Sequence, residues 1–156
     1  MSDGPDPYRL LFVCSGNICR SPMAEVLAAA YAARRGREME MQSAGTLGIE
    51  DAPADPNVVA VCGEIGLDLT RHRSQGVSKD LVEWADYVLV MQFHHATTLR
   101  ERFPEIGDKL LMLGALGGTL EIEDPLGGFK TRFRRSRDQI RGCVEVFIDR
   151  LPPRMA

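Results

Sequence analysis

No stretch of this chain is apolar for long enough to cross a bilayer. A spanning helix needs about 20 consecutive apolar residues, and runs such as Leu10–Cys14 and Tyr87–Met91 stop far short of that. No leader opens the chain with a basic-then-apolar order. Residues 1–7 are polar with two prolines and read as a frayed N-terminal tail, and residues 8–156 read as one domain. Excess basic charge is missing too: 19 Lys and Arg stand against 22 Asp and Glu, for a net charge of -3. That argues against a general nucleic-acid-binding role. The four cysteines are scattered, form no disulfide framework and include no Cys-x-x-Cys pair. A secreted disulfide scaffold and a thiol–disulfide oxidoreductase are therefore set aside, and a reducing cytoplasm is expected. Histidines number three. His94 and His95 are adjacent, so they do not share a helix face, and no Cys or third His lies at ligand spacing. They read as surface or rim residues, with no metal site.

What the chain does have is one dense stretch, Val13-Cys14-Ser15-Gly16-Asn17-Ile18-Cys19-Arg20-Ser21-Pro22. The apolar run Leu10–Val13 precedes it, and a helix-forming run from Pro22 to about Arg35 follows. A loop between a strand and a helix start directs backbone N–H groups, and the positive end of the helix dipole, into one small space suited to a phosphate. Gly16 and Asn17 tolerate the left-handed backbone such a nest needs. Arg20 brings a planar fork that matches two phosphate oxygens. Ser21 reads as the helix N-cap, with Pro22 at the first helical position. Cys14 stands at the mouth of the nest. Cysteines in such positive fields ionise readily, and a thiolate facing phosphorus is a nucleophile in place. The loop lacks the Gly-Lys-Ser/Thr ending of a nucleotide-binding P-loop, which argues against an ATPase or GTPase.

The remaining chain alternates strands with helices. Tyr8–Val13, Glu38–Gln42, Tyr87–Met91 and Lys109–Leu113 read as strands. The stretches 22–35, 55–65, 78–85, 92–103 and 130–150 read as helices. The core of strand one, Leu10–Val13, and all of strand three are continuously apolar, as in a parallel sheet covered on both faces; strand two alternates, as at an edge. Cys62 reads as core, and the arginines of the last helix, Arg137 among them, as its solvated face. This α/β order is expected to form three layers. Ligands of such folds bind beyond the carboxyl ends of the strands. Cys14 follows strand one, Ser43 strand two, and Asp124 lies beyond strand four, so all three fall on one rim. Asp124 stands before Pro125 in a turn sequence, Asp124-Pro125-Leu126-Gly127-Gly128.

The run from Cys14 to Pro22 resembles the Cys-x5-Arg-Ser signature of the low-molecular-weight protein tyrosine phosphatases. Length, element order and the late Asp-Pro match as well. The resemblance implies a four-stranded parallel sheet in the order 2-1-3-4 with helices on both faces. It implies hydrolysis of protein phosphotyrosine through a phosphocysteine, with inorganic phosphate as product and no metal or organic cofactor. Cys14 would be the nucleophile. Ser15, Gly16, Asn17, Ile18, Cys19 and Arg20 would form the phosphate-binding loop, and Asp124 would be the proton carrier. Ser21 would hydrogen-bond to the Cys14 sulfur, Asn17 would hold the loop in shape, and Ser43 and His72 would brace that asparagine. Cys19 would be a redox partner for Cys14, the alternative being a buried loop residue. The expected partner is a phosphorylated protein, with no nucleic acid or membrane, and the chain a monomer or weak dimer.

Two departures bear on the substrate. Leu126, Gly127 and Gly128 follow the Asp-Pro where many family members carry cleft aromatics, and this resembles the branch that includes protein arginine phosphatases. In that branch the residue before the second loop cysteine is Thr, whereas here it is Ile18, as in the tyrosine phosphatases. Phosphotyrosine is the expected substrate and phosphoarginine the alternative. An arsenate reductase of this fold needs a further cysteine pair near the third helix and strand, and Ser78–Met91 contains none. A binding module without activity would be expected to have lost Cys14, Arg20 or Asp124.

Overall fold

The computed structural model describes residues 7–153. The expected tail therefore lies, except for Pro7, outside the described residues. Four strands, β1 (Tyr8–Cys14), β2 (Met39–Gly45), β3 (Tyr87–Val90) and β4 (Leu110–Met112), form a parallel sheet in the order β2-β1-β3-β4. Among the described residues five α-helices accompany them, α1 (Arg20–Arg34), α2 (Pro56–Gly63), α3 (Lys79–Trp84) and α4 (Phe93–Arg102) between strands and α5 (Lys130–Arg150) after the last.

β1 is central, and the pleat sends its side chains alternately to the two faces. Leu10, Phe12 and Cys14 join the core beneath α1, α2 and α5, while Leu11 and Val13 join the core on the side of α3 and α4. Leu10–Val13 are fully buried. Each such side chain contributes roughly 1.5–3 kcal/mol relative to exposure, so the strand that carries Cys14 is firmly anchored. β2 lies at the edge, as its alternation implies. It runs on through Ser43 to Gly45, pairing Phe12 with Ser43 and Cys14 with Gly45. Thus Cys14 and Ser43 share one end of the sheet.

Three expectations change. α1 starts at Arg20, ahead of Pro22, with Cys19 at the cap position and no side-chain cap bond; the Ser21 hydroxyl is engaged elsewhere. On α5 the boundaries agree, but Arg137 is buried rather than solvated. It lies on the apolar stripe between Phe133 and Ile140, and its Nη1 donates to Val61 O at 2.8 Å and to Glu64 Oε1 at 2.9 Å. On α4, His95 is fully buried while His94 is exposed. Asp55 and Ser78 cap α2 and α3: their side chains accept from Asn57 N and Leu81 N. Cys62 is core as expected, and burial pushes its thiol up to about 11.

Candidate active site

The loop between β1 and α1 is held from outside by its carbonyls. Cys14 O accepts from Thr46 N at 3.0 Å, Ser15 O from Leu47 N at 3.0 Å, Ile18 O from Asp55 N at 2.9 Å and Cys19 O from Met23 N at 3.2 Å. Asn17 O meets His72 Nε2 at 2.7 Å, so that ring nitrogen is the donor. With its carbonyls engaged on the outside, the loop keeps its amides for the inside. Among the described residues, the N–H groups of Gly16, Asn17, Ile18 and Cys19 donate to no protein group. That is the donor set of an anion nest.

Asn17 makes the turn at φ 57°, a left-handed conformation that Asn tolerates better than most residues. Its side chain is fully buried. Oδ1 accepts from Gln75 N at 3.0 Å, which fixes the amide orientation, and Nδ2 donates to Ser21 Oγ and Ser43 Oγ, both at 2.9 Å. Ser43 Oγ in turn donates to Glu25 Oε1 at 2.6 Å. Ser21 Oγ accepts from Asn17, which leaves its own hydrogen for Cys14 Sγ at 2.9 Å or the more distant Ala44 O at 3.4 Å. Ser21 does not cap α1 because the helix already starts at Arg20. Sequence reading anticipated Asn17, Ser21, Ser43 and His72 in this cluster. It missed Glu25 and Gln75, which belong to no local motif.

Gly45 permits the close approach of β2 to the loop. A Cβ there would lie 2.6 Å from Ser15 O and 3.0 Å from both Asn17 N and Gly16 C, all backbone atoms. Gly45→Ala is therefore expected to lower stability by roughly 1–3 kcal/mol through overpacking and to reduce phosphate binding in parallel. Urea unfolding and phosphate titration check this, with Gly142→Ala, where a Cβ meets nothing within 4 Å, as the harmless control.

Arg20 is 2% exposed. Its Nη1 donates to Gln92 Oε1 at 2.6 Å and to Ile122 O at 2.8 Å, and Nη2 lies 3.8 Å from Asp124 Oδ2. Its Nε has no partner, alone among the buried side-chain polar atoms of the described residues. A buried guanidinium with an unmet donor costs stability unless an acceptor arrives, and a phosphate oxygen supplies one. Asp124 Oδ1 accepts from Leu126 N at 3.1 Å, closing the turn expected there. Cys14, Ser15, Gly16, Ile18, Cys19, Arg20 and Asp124 line one cleft, whose outer walls are Leu47, Ile49 and Leu126. The wall is thus aliphatic where aromatics were noted as missing. A larger, polar cavity lies beside Gln92, Glu121 and Arg135 but is lined by no cysteine, so chemistry rather than size marks the site.

Two thiols share the loop. Cys19 is buried, and burial first, then the nearby Asp55 carboxylate, pushes its thiol far up. A thiol held protonated in this way is a weaker nucleophile, and Cys14 is the loop's other thiol, paired with Ser21 Oγ at 2.9 Å.

Comparison with known proteins agrees with this geometry. A family model described as low molecular weight phosphotyrosine protein phosphatase matches residues 9–154. A protein-arginine-phosphatase of Geobacillus stearothermophilus is 38% identical over 151 residues, covering 96% of this chain and 97% of its own. The low molecular weight protein-tyrosine-phosphatase Wzb of Escherichia coli strain K12 is 35% identical over 129 residues, 83% of this chain and 80% of its own. The structure of a low molecular weight protein tyrosine phosphatase from T. tengcongensis superposes with a TM-score of 0.88 at 34% identity, covering 92% of this chain and 99% of that one. Sheet order, loop and relatives converge: this chain belongs to the low molecular weight phosphotyrosine protein phosphatase family.

Proposed function

We propose that this chain hydrolyses phosphotyrosine in proteins through a phosphocysteine formed on Cys14. The observation that carries the proposal is the pairing of Cys14 Sγ with Ser21 Oγ at the base of a cleft where Arg20 Nε and the inner amides lack acceptors. The Cys14 thiolate attacks phosphorus, and the bond from phosphorus to the phenolic oxygen breaks. The Asp124 carboxyl gives that oxygen its proton. Asp124, now a carboxylate, takes a proton from water, whose oxygen attacks phosphorus. The sulfur–phosphorus bond breaks, Ser21 donates to the departing thiolate, and inorganic phosphate leaves. Arg20 and the loop amides stabilise the transferring group in both steps. The chain's free thiols fit a reducing cytoplasm, where Cys14 stays usable.

Ile18, Leu47, Ile49 and Leu126 favour phosphotyrosine. Four apolar side chains suit the faces of a phenyl ring, and a guanidinium there would lose its water with Asp124 as the cleft's one carboxylate. Phosphoarginine is the second reading, favoured by the Leu126-Gly127-Gly128 turn and by the name of the Geobacillus relative. Phosphate release from matched phosphotyrosyl and phosphoarginyl peptides, with Cys14→Ser as blank, decides between them. Faster release from the first is expected. Faster release from the second keeps the chemistry and reverses the substrate, and release from neither ends the proposal.

A further inference from the structure

His95 is a buried imidazole that makes two directed contacts at the phosphate loop. It occupies the third position of α4. Its Nδ1 lies 3.1 Å from Gln92 N, and its Nε2 lies 2.9 Å from Ser15 Oγ. The Gln92 amide can only donate, so Nδ1 is the bare nitrogen and the ring proton sits on Nε2. Burial, with Arg20 and His94 adding positive charge nearby, lowers the ring's pKa to about 3, in keeping with a neutral ring whose bare Nδ1 accepts from Gln92 N. Nε2–H therefore donates to Ser15 Oγ. Had the ring carried its proton on Nδ1, the Ser15 hydroxyl would have spent its own proton on Nε2. As built, that proton is free, and Ser15 has no second side-chain partner among the described residues. Ser15 lines the cleft between Cys14 and Gly16. Gln92, whose N–H fixes the ring, also accepts from Arg20 Nη1, so one helix start orients two donors at once.

We propose that His95 is a positioning residue that turns the Ser15 hydroxyl proton toward the transferring phosphoryl group. Resting on the phosphatase reading for its ligand, the inference adds a side-chain donor to the backbone nest.

Two substitutions separate the contacts of the ring. Counted along the side chain, Asn places Oδ1 where Nδ1 stands, so His95→Asn keeps the Gln92 contact and loses Ser15. Gln places Nε2 where the ring's Nε2 stands, so His95→Gln keeps a donor for Ser15. Turnover of a phosphotyrosyl peptide is expected to fall about 10- to 100-fold in H95N, the worth of one charge-assisted hydrogen bond, and to recover most of that loss in H95Q. In an S15A background H95N is expected to cost nothing further. An equal loss from H95N with and without Ser15, or H95Q as slow as H95N, overturns the proposal and leaves His95 a packing residue of α4. Calorimetric titration of wild type, H95N, S15A and the double variant with inorganic phosphate reads the same bond without turnover. If neither phosphotyrosyl nor phosphoarginyl peptide is cleaved, the functional reading fails while this titration still decides the role of His95. Weaker binding in H95N that disappears in S15A upholds it; binding unchanged in H95N, or no phosphate binding by wild type, overturns it.

Discussion

Cys14→Ser is expected to abolish phosphate release, by a factor on the order of 10⁶ as for other nucleophile deletions, while the chain melts close to wild type. The substitution exchanges one atom at a site 2% exposed and keeps a hydroxyl within reach of Ser21. Arg20 and the loop amides are untouched, so inorganic phosphate should still bind. Arg20→Ala should remove turnover as well, but for this variant the fold should suffer. The guanidinium is the partner of Ile122 O and Gln92 Oε1, and its loss leaves a buried carbonyl unpaired and a void beneath the loop. Phosphotyrosyl-peptide hydrolysis and thermal melting, run on both variants, test the difference. Turnover persisting in pure Cys14→Ser protein would mean that sulfur is not the nucleophile. A similar loss of melting temperature in both would mean that Arg20 carries no more of the fold than Cys14 does.

The parts of this site legible in the sequence are those that share one short stretch. Cys14, Gly16, Asn17, Arg20 and Ser21 fall within a single turn between a strand and a helix, where residue type and local geometry together dictate chemistry. α5 was also legible to its end residues, because its apolar stripe is long and regular. Ser43, His72 and Asp124 were reached through the family resemblance and their place on the strand ends. Their contacts are long-range, and no local pattern encodes the 2.7 Å bond from His72 to Asn17 O.

What escaped were polar residues buried by tertiary packing. Adjacent histidines point about 100° apart on a helix, so His94 and His95 need not share an environment. His95 lies four residues before buried Leu99, which was the available clue to which one faces inward. Arg137 sits on the stripe of Phe133, Ile140 and Val144 and could have been found the same way. Charge outweighed periodicity in reading it as solvated, yet an arginine can be buried when a carbonyl and a carboxylate, here Val61 O and Glu64, meet its donors. For Ser21 only the capping expectation failed: its type suits an N-cap, but α1 already starts at Arg20, and the hydroxyl faces Cys14 Sγ at 2.9 Å and Ala44 O at 3.4 Å.

Asp124→Ala is expected to slow hydrolysis of a phosphotyrosyl peptide by roughly 10²–10⁴-fold, the usual worth of a positioned proton donor. It should slow phosphorylation of the enzyme by an acidic nitrophenyl ester much less, because that leaving oxygen departs without a proton. The geometry allows a sharper test, since the two carboxyl oxygens have different duties. Oδ1 accepts from Leu126 N and holds the turn, whereas Oδ2 faces Arg20 at 3.8 Å on the lining of the cleft. Asp124→Asn preserves an oxygen for the turn and removes the transferable proton. If Asp124 merely shapes the loop, Asn restores turnover. If it carries the proton, Asn is as slow as Ala on the peptide. With the nitrophenyl ester the same variant should then release a burst of about one phenol per chain before stalling, because no carboxylate remains to deprotonate the water that must attack the phosphocysteine. Absence of a burst, together with equal losses on both substrates, would reduce Asp124 to a turn former and require another base on the rim.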